Sequence, residues 1–168
     1  VLMIVKILVV IGFCFLFWLI CYANTGSDEK NMRGFRSYPK EVQELVKNDM
    51  HLASLAPAAV NMVSVFVSNV VMFSVVFCVV GIILKYTVGF SDFLDALTYF
   101  IIWGQVLNLF DLFVIDLLWW RNTPRIRFSC AQDKRLYQNP KVHVASFVRG
   151  IVMFFIPAVI AAGIVSFI

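Results

Sequence analysis

The sequence predicts an all-α integral membrane protein, a bundle of four transmembrane helices with one short amphipathic helix in its first large loop. Three observations lead to this fold class. The chain of 168 residues is 61% hydrophobic and only 14% charged, with a mean hydropathy of +0.88, which is too apolar for an ordinary water-soluble domain. Four apolar runs, each of about 20 residues or more, alternate with polar segments. Most of the basic residues lie in the loops that flank those runs, as expected for a chain inserted in a bilayer.

The first apolar run covers residues 1–22 and is interrupted only by Lys6 and Gly12. Because a helix rises about 1.5 Å per residue, about 20 residues cross the hydrocarbon core, so this run is long enough to span. The alternative is a cleaved signal peptide, with a weak small-residue site ending at Ala23. The apolar region is too long for that reading, and Tyr22 is a poor fit beside a cleavage position. We therefore predict a first span.

The first large loop covers residues 24–59. Pro39 stands where the first turn of a helix tolerates proline, and apolar residues follow at helical spacing. They are Val42, Leu45, Val46 and Met50. The pattern predicts an amphipathic helix over about residues 38–51, which either lies on the membrane surface or covers the second, basic loop.

The second span is predicted at about residues 60–84, after the breaking sequence around Pro57. Asn61, Ser64 and Ser68 fall about one turn apart on one stripe, and Asn69 lies beside them. Such side chains usually face another membrane helix, where they allow close approach or hydrogen bonds. A substrate site is the alternative reading of this stripe.

The third span, at about residues 96–120, carries two amides and two carboxylates. Gln105 and Asp116 are eleven residues apart, close to three full α-helical turns, so they should share a face. Asn108 and Asp111 each follow about one turn further along the helix, and they are rotated away from that face. An ionisable group at this depth costs about 2.5–3.5 kcal/mol unless it is paired or hydrated, so the acids need an explanation.

The fourth span, at about residues 144–168, contains Arg149 near its start and Pro157 near its middle. One hypothesis pairs Arg149 with Asp111 or Asp116 and makes the acids structural. The other is a cytoplasm-facing polar cavity in which Asp111 binds a cation, a proton or a cationic substrate. The candidate polar intramembrane site comprises Asp111, Asn108, Gln105, Asp116, Arg149, Asn61, Ser68 and Asn69.

The second large loop, residues 121–143, holds six Lys or Arg residues and one acid. Arg121, Arg125 and Arg127 form a cluster beside the third span. Such a cluster attracts anionic lipid headgroups by about 1 kcal/mol per base near the surface, which makes a lipid-headgroup site a hypothesis. Membrane insertion alone also explains the cluster, and the scatter of bases among loops argues against a nucleic-acid partner.

The loop charges also predict orientation. Residues 24–59 carry five Lys or Arg and residues 121–143 carry six, whereas the opposite side has only Lys6 and Lys85. The positive-inside bias then places both large loops in the cytoplasm and both termini outside. The overall pattern is typical of a small protein of the bacterial cytoplasmic membrane.

No chemistry-bearing motif stands out. The four cysteines, Cys14, Cys21, Cys78 and Cys130, lack paired spacing, and His51 and His143 lack the spacing of metal ligands. Nucleotide-binding and hydrolase motifs are also missing from the sequence. We therefore expect no metal, no cofactor and no catalytic residue.

Two functions remain. The first is a non-enzymatic membrane subunit or scaffold, a single membrane domain over residues 1–168 that forms homo-oligomers or joins other membrane subunits. The alternative is a small oligomeric transporter or channel with a cytoplasm-facing polar site around Asp111. Four spans are few for alternating access in one chain, so this alternative nearly requires a dimer.

Overall fold

The structure is a computed structural model that describes residues 2–57 and 61–168. Over these ranges the chain forms helices and short connections, without a strand. Four stretches are long and apolar enough to cross a membrane. The all-helical class with four such helices is therefore confirmed, and insertion into a membrane stays a prediction.

The long helices follow the predicted apolar runs closely. Helix α1 spans Leu2–Ala23, α5 spans Met62–Thr87, and α7 spans Lys141–Phe167. The third stretch is an α-helix only at its start, because α6 covers Phe93–Phe110 and a π-helix continues over Asp111–Trp120. Predicted and observed ends differ by a few residues, as they do wherever helix ends fray.

The first large loop is more structured than its sequence pattern suggested. It contains α2 (Asp28–Arg33), α3 (Lys40–Asn48) and α4 (Met50–Leu55). The predicted amphipathic helix over 38–51 is thus divided at Asp49. The carboxylate of Asp49 accepts hydrogen bonds from the backbone N–H groups of His51 and Leu52, each at 3.0 Å, and so begins a new helix.

The chain divides into two compact units. The first comprises Val1–Cys14, Val60–Leu109 and Phe147–Ile168, and we call it the helix unit. The second comprises Phe15–Ala59 and Phe110–Ser146, and we call it the loop unit because both large loops belong to it. The predicted single membrane domain stays a prediction.

Close contacts between aromatic rings and small residues build the helix unit. The ring of Phe77 stacks on Trp103, with centroids 4.5 Å apart, and on Phe100, with centroids 5.7 Å apart. Gly81 lies against Phe100 and Val165, and a Cβ atom at Gly81 would stand 2.6 Å from Phe100 Cζ. Only glycine allows this approach, which is how membrane helices commonly pack.

The two lysines of the helix unit, Lys6 and Lys85, have partners within it. Lys6 Nζ lies 3.6 Å from Asp95 Oδ2 and 4.2 Å from the centroid of the Phe90 ring. Lys85 Nζ donates a hydrogen bond to the carbonyl of Val165 at 2.7 Å. These contacts satisfy two lysines that interrupt otherwise apolar helices.

The loop unit has a hydrophobic core of its own, made by both large loops. Val42 and Val46 of the amphipathic helix α3 are fully buried in it, so this helix covers the basic loop, the second of the two positions predicted for it. Trp120 also belongs to this core, where its ring lies 5.1 Å from that of Tyr38. The other members are Met32, Phe35, Leu52, Ile126, Phe128, Ala131 and Tyr137.

Tyr137 ties the basic loop to its own backbone inside this core. Its hydroxyl donates a hydrogen bond to the Ala131 carbonyl at 2.8 Å and accepts one from the Phe128 N–H at 3.3 Å. The basic loop is therefore a folded element rather than a flexible, solvated one.

This core generates a stability prediction. Phe128→Ala removes a fully buried ring and should lower the free energy of unfolding by about 3–5 kcal/mol, because the lost contacts leave a cavity. Met50→Ala is the control, since Met50 is 93% exposed and its truncation should change stability by less than about 0.5 kcal/mol. Denaturant unfolding of both variants in detergent measures the difference. Equal effects of the two substitutions would show that the loops do not share a core.

Candidate functional site: a polar cavity in the loop unit

The π-helix Asp111–Trp120 determines where the two carboxylates of the third span point. In an α-helix, residues five apart point about 140° away from each other. A π-helix bonds residue i to residue i+5, which places such residues one above the other. Arg121 N–H donates to the Asp116 carbonyl at 3.4 Å and continues this pattern. Asp111 and Asp116 therefore share one face, which the α-helical spacing assumed from the sequence did not predict.

That face borders a cavity of about 270 Å³ that lies within the loop unit. At about 30 Å³ per molecule it has room for about nine waters. Asp111 and Asp116 line one wall, and polar residues from the end of α1 and from the first loop line the others. The full lining is Cys21, Asn24, Thr25, Lys30, Asn31, Arg33, Gly34, Ser37, Tyr38, Asp111, Ile115, Asp116, Trp119, Trp120 and Ser146.

The two carboxylates have different environments. Asp116 Oδ2 lies 3.0 Å from His143 Nδ1, within the distance of a hydrogen bond from a protonated ring nitrogen. Asp111 is partly exposed, like Asp116. In contrast to Asp116, it makes no hydrogen bond or ion pair with a protein group in the described part of the chain. An acid in an apolar segment that faces a cavity without a protein partner is available to a ligand.

His143 is the partner of Asp116 that sequence reasoning missed. It is 5% exposed, and its ring packs edge-on against Trp120 with centroids 4.9 Å apart. Its Nε2 atom is buried and has no hydrogen-bond partner among the residues described. The two residues are far apart in the sequence, so no periodicity or local spacing could indicate the pair.

Basic groups line the same cavity from α2. Arg33 Nη1 donates a hydrogen bond to Asn24 Oδ1 at 3.0 Å, and Lys30 lies on the same short helix. Neither base pairs with an acid of the cavity, since the ion pairs found over residues 2–57 and 61–168 join Lys6 to Asp95 and His143 to Asp116. The cavity thus presents separate positive and negative groups.

The two amides of the candidate site have structural contacts in the helix unit. Gln105 Nε2 donates to the Ile151 carbonyl at 3.2 Å, and Asn108 Nδ2 donates to the Phe147 carbonyl at 3.1 Å. A Cβ atom at Gly150 would overlap the Asn108 side chain, so glycine is needed there. These amides join α6 to α7 and do not line the cavity.

The remaining residues of the candidate site also belong to the helix unit. Asn61 caps α5, where its Oδ1 accepts from the Val63 N–H at 3.0 Å, and its side chain is exposed. Ser68 is exposed and Asn69 is half-buried, and neither lines the cavity. Arg149 is exposed and is not a member of either ion pair of the described residues. Asp116 is paired with His143, and the pairing of Arg149 with Asp111 or Asp116 stays a prediction.

The arginines of the predicted lipid-headgroup cluster make internal contacts in the loop unit. Arg125 Nη2 donates to the carbonyls of Tyr22 and Thr25 at 3.2 and 2.9 Å, and its guanidinium lies 3.9 Å from the centroid of the Tyr22 ring. The Tyr22 carbonyl lies in the last turn of α1, where the helix dipole favours a cation, and Thr25 lies just after this helix. Arg127 Nη1 donates to Gln132 O at 3.3 Å, and Arg121 Nε is buried. The lipid-headgroup role stays a prediction. The guanidinium of Arg125 already donates hydrogen bonds within the protein, so it has fewer N–H groups left for a headgroup.

Fold and cavity together describe a class. Over the described residues the chain is all-helical, has four helices of membrane-spanning length and apolarity, and contains a cavity lined by charged, polar and aromatic side chains. Among the described residues, no three His, Cys, Asp or Glu side chains are grouped as ligands of a metal ion. Comparison with protein-family models, curated proteins and solved structures finds no match.

The contact between Asp116 and His143 predicts energetic coupling. Asp116→Ala and His143→Ala should each destabilise the protein, and the double variant should cost about 1–3 kcal/mol less than the sum, because each single change leaves the other side chain without its partner. A double-mutant cycle of denaturant unfolding in detergent measures this coupling.

The pair Lys6–Asp95 is the matched control for that cycle. Its atoms are 3.6 Å apart, but the Asp95 side chain is 40% exposed, so solvent screens the interaction and its coupling should stay below about 1 kcal/mol. Coupling at Asp116 and His143 no larger than at this control pair would remove the structural role assigned to His143.

Proposed function

We propose that this chain is an integral membrane protein that binds a small cation through Asp111, and that it acts as a small oligomeric transporter. One observation carries the proposal: Asp111 faces a cavity and has no protein partner over the residues described. Burying a carboxylate in an apolar segment costs several kcal/mol unless something compensates its charge. A bound cation, including a proton, supplies that compensation.

The contrast with Asp116 supports this assignment. The histidine beside Asp116 can compensate its charge from within the protein. Asp111 lies beyond Asp116 from the loops, at the start of the ten-residue π-helix, and no histidine or other protein group among the described residues is paired with it. The two acids therefore have separate roles: Asp116 is held by the protein, and Asp111 meets the ligand.

The aromatic residues around the cavity favour an organic ammonium group over a bare metal ion. Tyr38, Trp119 and Trp120 all line the cavity, and aromatic faces attract ammonium groups by about 0.5–2 kcal/mol. A divalent metal ion instead requires several ligands at short distances, and the described residues group no three His, Cys, Asp or Glu side chains for this purpose.

The proposed location is the bacterial cytoplasmic membrane, with the cavity open toward the cytoplasm. The support is the eleven Lys and Arg residues of the two large loops, which the positive-inside bias retains in the cytoplasm. The packing of both loops into one core is what two loops on the same side of a membrane allow.

A non-enzymatic membrane subunit is the second candidate function. Its support is the apolar surface of the long helices: in α1 only 6% of the most apolar window is buried, and in α5 only 17%. Such helices contact lipid or the helices of a partner chain. A second copy of this chain or another membrane subunit could occupy that surface, and both forms of assembly belong to the proposal.

Substitution of Asp111 tests the cation site. Addition of ethanolamine at neutral pH should raise the thermal unfolding temperature of the wild-type protein in detergent, because a ligand that binds only the folded state stabilises it. Asp111→Asn should abolish this rise while the protein still folds. Asp95→Asn, which removes an acid that does not line the cavity, should keep it. A wild-type protein insensitive to ethanolamine would contradict the cation site.

Particle mass tests the assembly. Gentle extraction from the native membrane, followed by mass measurement and identification of co-purifying chains, should give a homodimer or larger homo-oligomer if the chain is a transporter. A particle that contains other membrane proteins would instead favour the subunit role, and a monomer would contradict both.

A further inference from the structure

The charges around the cavity identify the class of ligand more closely, given the cation site proposed above. Asp111 and Asp116 lie on the π-helix, whereas Lys30 and Arg33 reach the same cavity from α2. Neither base is in an ion pair with either acid among the described residues. Opposite charges that share one cavity without neutralising each other can be joined by a ligand that carries both charges. We propose that the cavity binds a small zwitterion with an ammonium group at one end and a phosphate at the other.

The two bases favour phosphate as the anionic group. A phosphate monoester carries a charge of about −1.5 to −2 at neutral pH and offers three acceptor oxygens. Arg33 uses one of its guanidinium nitrogens on Asn24, and its side chain is exposed, so it can donate further hydrogen bonds. Lys30 adds a second positive charge one helical turn before it. Two cations on one short helix suit a phosphate, which carries nearly two negative charges, better than they suit a carboxylate, which carries one.

The positions of the charged residues in the chain give the orientation that we propose for the ligand. Asp111 lies inside the third span, whereas Lys30 and Arg33 lie in the loop that follows α1. A ligand that enters from the loop side therefore places its ammonium group deepest and leaves its phosphate near the opening. Phosphoethanolamine, a phosphorylated amine, has this arrangement and is small enough for a cavity with room for about nine waters.

The same order argues against a resident phospholipid. In a zwitterionic phospholipid the phosphate is attached next to the acyl chains, and the amine is at the outer end. A lipid in its normal orientation would bring its phosphate toward the depth of Asp111 and its amine toward Lys30 and Arg33, so both ends would meet like charges. The geometry thus points to a free, water-soluble phosphorylated amine.

Titration calorimetry on the 168-residue chain in lipid-free detergent tests this inference with three probes: phosphoethanolamine, ethanolamine and inorganic phosphate. Phosphoethanolamine should bind roughly tenfold or more tightly than ethanolamine, because charge-assisted hydrogen bonds to the phosphate add to the ammonium contact. The double variant Lys30→Gln/Arg33→Gln should lose this advantage and keep the affinity for ethanolamine. The retained affinity also shows that the variant folds.

The matched control is Lys40→Gln/Lys47→Gln, which removes two exposed charges of α3 that do not line the cavity and should leave all three affinities unchanged. Equal affinities for ethanolamine and phosphoethanolamine would overturn the zwitterion and leave the cation site in place. Absence of ethanolamine binding would remove both the zwitterion and the cation site.

A further experiment uses nanodiscs with and without phosphatidylethanolamine. Displacement of phosphoethanolamine by that lipid would overturn the free ligand and assign the site to a lipid headgroup.

Discussion

The geometry of the loop unit depends on how one apolar segment satisfies its backbone hydrogen bonds. The segment Asp111–Trp120 bonds its backbone N–H and carbonyl groups within itself, and it does so with the wider π-helical turn. That choice of bonding places Asp111 above Asp116. With α-helical bonding the two carboxylates would point in different directions, and the cavity would meet one of them.

The first large loop forms much of the rest of the cavity, and a hydrophobic core that it shares with the basic loop holds it in place. Apolar side chains from α3, from the basic loop and from Trp120 form one core, so the loops are held together by buried surface as well as by charge. Arg125 adds a second link, because it bonds the carbonyl groups at the end of α1 and covers the Tyr22 ring. With the loops fixed in this way, Lys30 and Arg33 stay at the cavity that Asp111 and Asp116 line.

Much of the fold could be predicted because length and apolarity determine the long helices. The runs around α1, α5 and α7 needed no information beyond composition. The apolar pattern of the amphipathic helix identified Val42 and Val46, which are buried, but it also included Leu45 and Met50, which are exposed. Other features depend on contacts that a linear pattern does not contain. The π-helix has no sequence signal that we could recognise, and the Asp49 cap became evident only from its bonds to the next helix.

The candidate site was only partly predictable for the same reason. Asp111 stood out because an acid in an apolar run is unusual, and it does line a cavity. Gln105 and Asn108 stood out equally, yet they bond backbone carbonyls of α7 in the helix unit. Sequence alone could not separate an amide that joins helices from an acid that faces a cavity, because both are polar interruptions of an apolar helix. His143, Lys30 and Arg33 looked like ordinary loop residues in the sequence. Folding brings His143 beside Asp116, and it brings Lys30 and Arg33 to the cavity that the two acids line.

The central claim is that Asp111 itself meets the cation, and infrared difference spectroscopy tests it most directly. The carboxylate stretching bands of the protein should shift when ethanolamine is added at neutral pH. The shift should disappear in Asp111→Asn and persist in Asp116→Asn. A shift that persists in Asp111→Asn and disappears in Asp116→Asn would contradict the account, because the ligand would then meet the carboxylate that His143 holds.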